Sequence, residues 1–128
     1  MNLLLDTHVA LWAITDDLRL SAEARSRILD PKIRVFYSVA SMWETAIKHS
    51  LKPDRIPVSG AEFLHFCEKA GYEGLPLRDR HVLALESLPH LHSDPFDRIL
   101  VAQARAEALL LLTRDSVLAE YGENILLI

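Results

Sequence analysis

The chain has 128 residues, with 14 Lys and Arg against 18 Asp and Glu, for a formal net charge of −4. That length suits one domain spanning residues 1–128, large enough to bury a core without a disulfide or structural metal. Half the residues are hydrophobic and a quarter charged, which argues against disorder, and the acidic balance excludes a protein that coats nucleic acid with a basic surface.

The first element in chain order is a short buried strand, Asn2 to Leu5, stopped by Asp6. Its apolar run is far shorter than a signal sequence or the ~20 residues of a membrane helix, so the expected location is the cytoplasm, with no membrane contact. A helix through Val9, Ala10, Ala13 and Ile14 follows. Ser21 caps a second helix that is closed by Asp30-Pro31. Ile33 to Tyr37, β-branched and aromatic, reads as a strand. Ser38 caps a helix reaching about His49, and Pro53 and Pro57 mark a loop. Ser59-Gly60 opens a helix that ends near Gly71 and carries the only cysteine. Cys67, beside Phe63, Leu64 and Phe66, reads as a buried thiol acting as a small hydrophobe.

Tyr72 to Leu77 is a weaker strand interrupted by Gly74 and Pro76, and Asp79 caps a helix over Val82, Leu83 and Leu85. Pro89 to Asp94 is a loop. Pro95 to about Ala108 is a strong helix and Leu109 to Leu112 a buried strand. A short helix around Val117 to Tyr121 leads to a last strand, Ile125 to Ile128. Short apolar strands alternating with helices predict an α/β fold whose parallel sheet is covered on both faces. In such sheets the working groups gather at the carboxyl ends of the strands.

Two acids sit at such ends: Asp6 in Leu5-Asp6-Thr7 and Asp115 in Leu112-Thr113-Arg114-Asp115, each near a threonine. Two more sit near helix starts, Asp97 in Asp94-Pro95-Phe96-Asp97-Arg98 and Glu44 among Ala40, Trp43 and Ile47. Each has a plain structural reading. Asp6 and Asp115 are suited to cap the following helices, and Asp94 is an N-cap with Pro95 at the first helical position. Asp97 then falls at N3, near the positive end of the helix dipole, and Glu44 pairs with Lys48 one turn on. Together, four carboxylates converging on one cleft repel one another unless a cation joins them. Oxygen-only ligands favour Mg²⁺ or Mn²⁺.

His90-x-His92, in the turn after Pro89, reads as solvated surface, with a transition-metal pair as the alternative. His8 has a supporting place beside Asp6. Trp12 and Trp43, at helical spacing among aliphatics, read as core.

Four segments, in order, resemble the PIN-domain family. They are Leu3-Leu4-Leu5-Asp6-Thr7-His8-Val9-Ala10-Leu11-Trp12, Ser38-Val39-Ala40-Ser41-Met42-Trp43-Glu44-Thr45-Ala46-Ile47-Lys48, His92-Ser93-Asp94-Pro95-Phe96-Asp97-Arg98-Ile99-Leu100-Val101-Ala102-Gln103-Ala104 and Leu112-Thr113-Arg114-Asp115. Within that family the chain is most similar to the toxin ribonucleases of VapBC-type toxin–antitoxin pairs. The resemblance implies a three-layer α/β/α fold with a five-strand parallel sheet, and Mg²⁺- or Mn²⁺-dependent endoribonuclease activity. It implies that Asp6, Glu44, Asp97 and Asp115 form the metal-binding quartet, with Asp6 and Asp97 as direct ligands. Thr7 and Thr113 occupy hydroxyl positions that orient ligands or water, and Arg98 either contacts substrate or pairs locally. RNA, a cognate VapB-type antitoxin and a second copy of the chain are the implied partners. One departure is visible: relatives often place a glycine in the turn after the Trp-Glu helix, where this chain reads Leu51-Lys52-Pro53-Asp54.

Two rivals remain at this point. A haloacid dehalogenase-like phosphatase also begins with an apolar strand and an aspartate, but requires a second aspartate two residues on, where this chain has His8. A non-catalytic binding module of the same shape would bind partners and cleave nothing. Setting the four acids aside leaves 14 acids against 14 bases, so the whole net charge is assignable to a metal pocket.

Overall fold

The computed structural model describes residues 1–128. Strand β1 (Leu3–Leu5) is a run of leucines facing alternately up and down, all of them buried, so it needs cover on both sides. Thr7–Ile14 (α1) and Ala22–Leu29 (α2) follow, then β2 (Val35–Ser38), α3 (Val39–Leu51) and α4 (Gly60–Lys69). Glu73–Leu75 (β3), Asp79–Glu86 (α5), Pro95–Ala106 (α6), Leu110–Thr113 (β4), Ser116–Ala119 (α7) and Ile125–Leu127 (β5) complete the chain. The five strands form one sheet in the order β3-β2-β1-β4-β5, parallel throughout. The expected three-layer α/β architecture is the observed one.

Register explains the two cores. Leu4 lies opposite Leu111, and Leu5 opposite Leu112. On one face Leu3, Leu5 and Leu112 pack with Val9 of α1, Ala24 and Ile28 of α2, and Phe63 and Cys67 of α4. On the other, Leu4 and Leu111 pack with Leu100 and Ala104 of α6 and Leu118 of α7. Helix α3 bridges the layers, giving Met42 to the first core and Ala40 to the second. Burial pushes the Cys67 thiol up to about 12, in keeping with an inert apolar role.

Strand β1 is central, and the chain goes to opposite sides of it to form β2 and β4. Its carboxyl end is therefore the switch point of the sheet, where α/β proteins open a cleft. Asp6 stands there, and β2 and β4 deliver Ser38 and Thr113 alongside.

Several local expectations shift. Trp43 is 58% exposed rather than core, because α3 turns it outward against the ring of Phe96, 5.0 Å away. Trp12 is half-buried, with the guanidiniums of Arg19 and Arg114 over its ring at 5.3 and 5.8 Å. Helix α5 is capped not by Asp79 but by Arg78, whose backbone N–H donates to His81 Nδ1 at 3.0 Å. Strand β3 is trimmed to three residues. Its Gly74 is required, since a Cβ there would stand 2.9 Å from Tyr37 Oη. After α3, Lys52 takes φ −143° and no residue of the turn has a positive φ, so this turn needs no glycine. No helix is long and apolar enough to cross a membrane.

Candidate metal centre

Asp6 ends β1 and caps α1. Its Oδ1 accepts from Thr7 N at 2.8 Å, and its Oδ2 accepts from Thr113 Oγ1 at 2.7 Å. It is 5% exposed, and burial raises its pKa against the pull of the Thr113 hydroxyl. Thr113 ties two acids together, because its Oγ1 also accepts from Asp115 N at 3.0 Å. The Thr7 hydroxyl points elsewhere, donating to Ser41 Oγ at 2.8 Å, so only its backbone serves Asp6.

Glu44 lies on the buried stripe of α3 with Ala40, Ser41 and Thr45. Lys48 Nζ donates to its Oε2 at 2.6 Å across one helical turn. Its Oε1 is buried and has no hydrogen-bond partner. A lone carboxylate oxygen removed from water costs several kcal/mol at the extreme and about 1–3 in typical cases, so native proteins rarely leave one.

Asp97 sits at N3 of α6, behind the Asp94 cap whose Oδ1 accepts from Phe96 N at 2.8 Å. Burial pushes its carboxyl up to about 7, and the charges of Asp6, Asp94 and Glu44 push the same way, with His92 opposing. Asp115 caps α7 through Oδ1, which accepts from Val117 N at 2.9 Å. Its Oδ2 lies 2.9 Å from His92 Nε2, which is also 3.4 Å from Asp97 Oδ2. One ligand-type atom each from His92, Asp97 and Asp115 falls within 4.8 Å of the others.

The four acids are thus arranged in depth. Asp97 and Asp115 line the opening beside His92, while Asp6 and Glu44 lie buried behind and repel Asp97. Arg98 forms no ion pair with the carboxylates: its Nη2 donates to Leu88 O at 3.3 Å, and its Nε is buried without a partner. His92 corrects the surface reading of the histidine pair. His90 is exposed, but the His92 side chain is only 16% exposed and faces the acids. The signal was its short spacing to Asp94 and Asp97, which lets the loop fold back over the start of α6. Lys48 is the one lysine or arginine paired with the cluster. Many oxygens, a surplus of negative charge and an orphaned buried acceptor together fit a hard divalent cation.

Residues 3–124 match the PIN domain family. The chain belongs to that family. The PIN domain also resembles solved structures over nearly its whole length. One is the VapBC2 complex of Rickettsia felis bound to a DNA fragment from its promoter. It has a TM-score of 0.71 and 16% identity, and the match covers 100% of this chain and 98% of the other. Another is a toxin–antitoxin complex from Klebsiella pneumoniae, with a TM-score of 0.62, 14% identity and 98% and 96% coverage. No curated protein matches the sequence. At these identities the structural likeness speaks to the fold.

Next to the acids, a groove of about 830 Å³ runs along α1 and α3. Its lining includes His8, Trp12, Arg19, Lys48, Lys52 and Arg55. Lys48 borders both the groove and Glu44, so the groove adjoins the acidic cluster.

Proposed function

We propose that this PIN domain is a metal-dependent endoribonuclease, the toxin of a VapBC-type pair, acting in the cytoplasm. The observation that carries the reading is the partnerless buried oxygen of Glu44 beside a carboxylate, Asp97, pushed up to about 7. Asp6, Glu44, Asp97 and Asp115 would hold Mg²⁺ or Mn²⁺. When bound, such an ion offsets phosphate charge and makes a water more acidic.

The protein's own groups set up that chemistry. Thr113 and the Thr7 backbone fix the two oxygens of Asp6, leaving further lone pairs for a ligand. Lys48 neutralises one oxygen of Glu44 and leaves the other open. The groove cations Lys52 and Arg55 suit the phosphates of a nucleic-acid strand beside the acids. Arg19 is already paired with Asp17, and the Trp12 ring is covered by the Arg19 and Arg114 guanidiniums. The structural neighbours, themselves toxin–antitoxin complexes, support an antitoxin partner, and the exposed apolar side chains Val39, Trp43, Leu77 and Val82 support pairing of two copies. A phosphatase of the haloacid dehalogenase type gains no support, since no acid stands two residues after Asp6.

The test uses purified protein with matched RNA and DNA oligonucleotides, in excess EDTA and with Mg²⁺ or Mn²⁺ restored. The expected result is metal-dependent internal cleavage of RNA and its loss in Asp97→Asn. Undiminished cleavage in EDTA overturns the metal reading, and equal cleavage of DNA overturns the substrate. Induced expression with and without the neighbouring gene, followed by mapping of RNA 5′ ends, tests the toxin role.

A further inference from the structure

His92 stands within reach of two acids, and its place among them invites a role as a nitrogen ligand. The hydrogen bonds on the opposite side of the ring point the other way. Asp94 N donates to His92 Nδ1 at 3.0 Å. An amide N–H can be received only by a nitrogen with a free lone pair, so Nδ1 carries no proton. The ring proton therefore sits on Nε2, facing Asp115 Oδ2 at 2.9 Å and Asp97 Oδ2 at 3.4 Å.

A metal ligand needs a lone pair at Nε2. Supplying one while Nδ1 still accepts from Asp94 would make the ring an imidazolate anion among carboxylates, which their charge opposes. The loop is also pinned from behind. Leu91 N and His92 N both donate to Tyr121 Oη, at 3.3 and 3.1 Å, and Tyr121 is 4% exposed.

We propose that His92 is a positioning residue and not a metal ligand: the Asp94 amide fixes its tautomer, and its Nε2–H donates to Asp115 close beside Asp97. This rests on the metal reading given above. It makes the centre an all-oxygen site. The Nε2–H occupies one lone pair of Asp115 Oδ2 and leans on Asp97 Oδ2, so it determines which lone pairs of the two carboxylates remain for an ion. Donors placed behind ligating carboxylates commonly change metal affinity or rate by about 10- to 100-fold when removed.

Three measurements on the full chain decide it. Nitrogen-15 NMR of the imidazoles, with His92 assigned by its absence in His92→Gln, should show an unprotonated Nδ1 and a protonated Nε2, both without metal and with Mg²⁺. Deprotonation of Nε2 on adding Mg²⁺ overturns the proposal. The Mn²⁺-loaded protein should show no directly bound nitrogen by electron spin-echo spectroscopy; a nitrogen coupling that vanishes in His92→Gln overturns it.

The third measurement compares two variants. His92→Asn keeps an acceptor near the Asp94 amide but cannot reach the acids, and should lose about 10- to 100-fold in Mn²⁺ affinity or kcat. His92→Gln keeps an N–H near the Nε2 position and should recover most of that loss. The reverse ranking would mean that His92 only shapes the loop, and overturns the proposal. A chain that binds no Mn²⁺ at all overturns the functional reading instead, and the metal-free NMR still decides the tautomer.

Discussion

Two polar networks flank helix α6, one at each end, and they differ in completeness. Near its carboxyl end, Ser38 Oγ donates to Gln103 Oε1 at 2.5 Å, and Gln103 Nε2 donates to Pro76 O at 3.3 Å. His81 accepts from Arg78 N on Nδ1 and faces Glu107 with Nε2 at 2.8 Å, while Arg80 neutralises Glu107. No buried side-chain atom there lacks a partner. At the amino end, Asp6, Glu44, Asp94, Asp97 and Asp115 gather with Lys48 as the lysine partner, and two buried atoms, Glu44 Oε1 and Arg98 Nε, are left without a partner. A satisfied buried network specifies a fold; one left short of positive charge is arranged for something that brings it. Both ends use the same device, a histidine fixed by a backbone amide and aimed at a carboxylate. His81 thereby supplies an internal reference for the NMR of His92.

The contrast breaks most visibly through substitution at the two ends. Asp97→Asn should cut RNA cleavage on the order of a thousand-fold while melting no lower than wild type in EDTA, since it relieves repulsion. A large loss of metal-free stability would instead assign Asp97 to helix capping. Gln103→Ala should do the opposite. Urea denaturation should show about 2–3 kcal/mol of lost stability, because Ser38 and His81 lose a partner, with cleavage per folded molecule within a few-fold.

Acid and base should act on the two ends with opposite sign. Asp97 titrates higher folded than unfolded, so the folded state binds the extra proton between about pH 4 and 7. Metal-free stability should therefore fall as pH rises through that window, by about 2 kcal/mol after screening, and level off above it. Asp97→Asn should flatten this slope. Glu107 is held below the usual glutamate range, first by its His81 bond and then by Arg80. Its stabilisation is complete above the unfolded value and is lost as pH falls through the folded one, so Glu107→Gln should blunt the acid-side loss. Thermal melts in EDTA from pH 3 to 8 check both.

The smallest effect is expected at the surface beside the cluster. Trp43→Ser should change stability by less than about 1 kcal/mol, where a core tryptophan would cost about 3–5. Sedimentation of the same variant tests whether that face pairs two copies.

Much of the candidate site could be read before the fold was known. Asp6 and Asp115 stand where apolar strands stop, and Asp94-Pro95 marks a helix start that places Asp97 at N3, so local chemistry and global placement agree. The strand order was not readable in the same way, because pairing depends on which leucines meet across the sheet, and a leucine run carries no label for its neighbour. The sequence leaves His92 between surface and site, since a turn has no period to show its direction. Trp43 lies outside the core, because helical spacing says which residues share a face but not how wide the covered stripe is. At α5, Asp79 looked like the cap until His81 reached back to the Arg78 amide, a contact that depends on burial of the ring.

The hydrogen bond from Thr113 to Asp6 joins residues 107 positions apart. Strand β1 is made early, yet its neighbour β4 and the capping Asp115 come more than a hundred residues later. During synthesis the amino-terminal acids therefore exist for most of the time as unconnected parts. The cluster assembles only when β4 slides in beside β1, a long-range pairing of the slow-forming kind. Under the proposed RNA-cutting activity, that order would keep a half-made chain harmless to the message it is being read from.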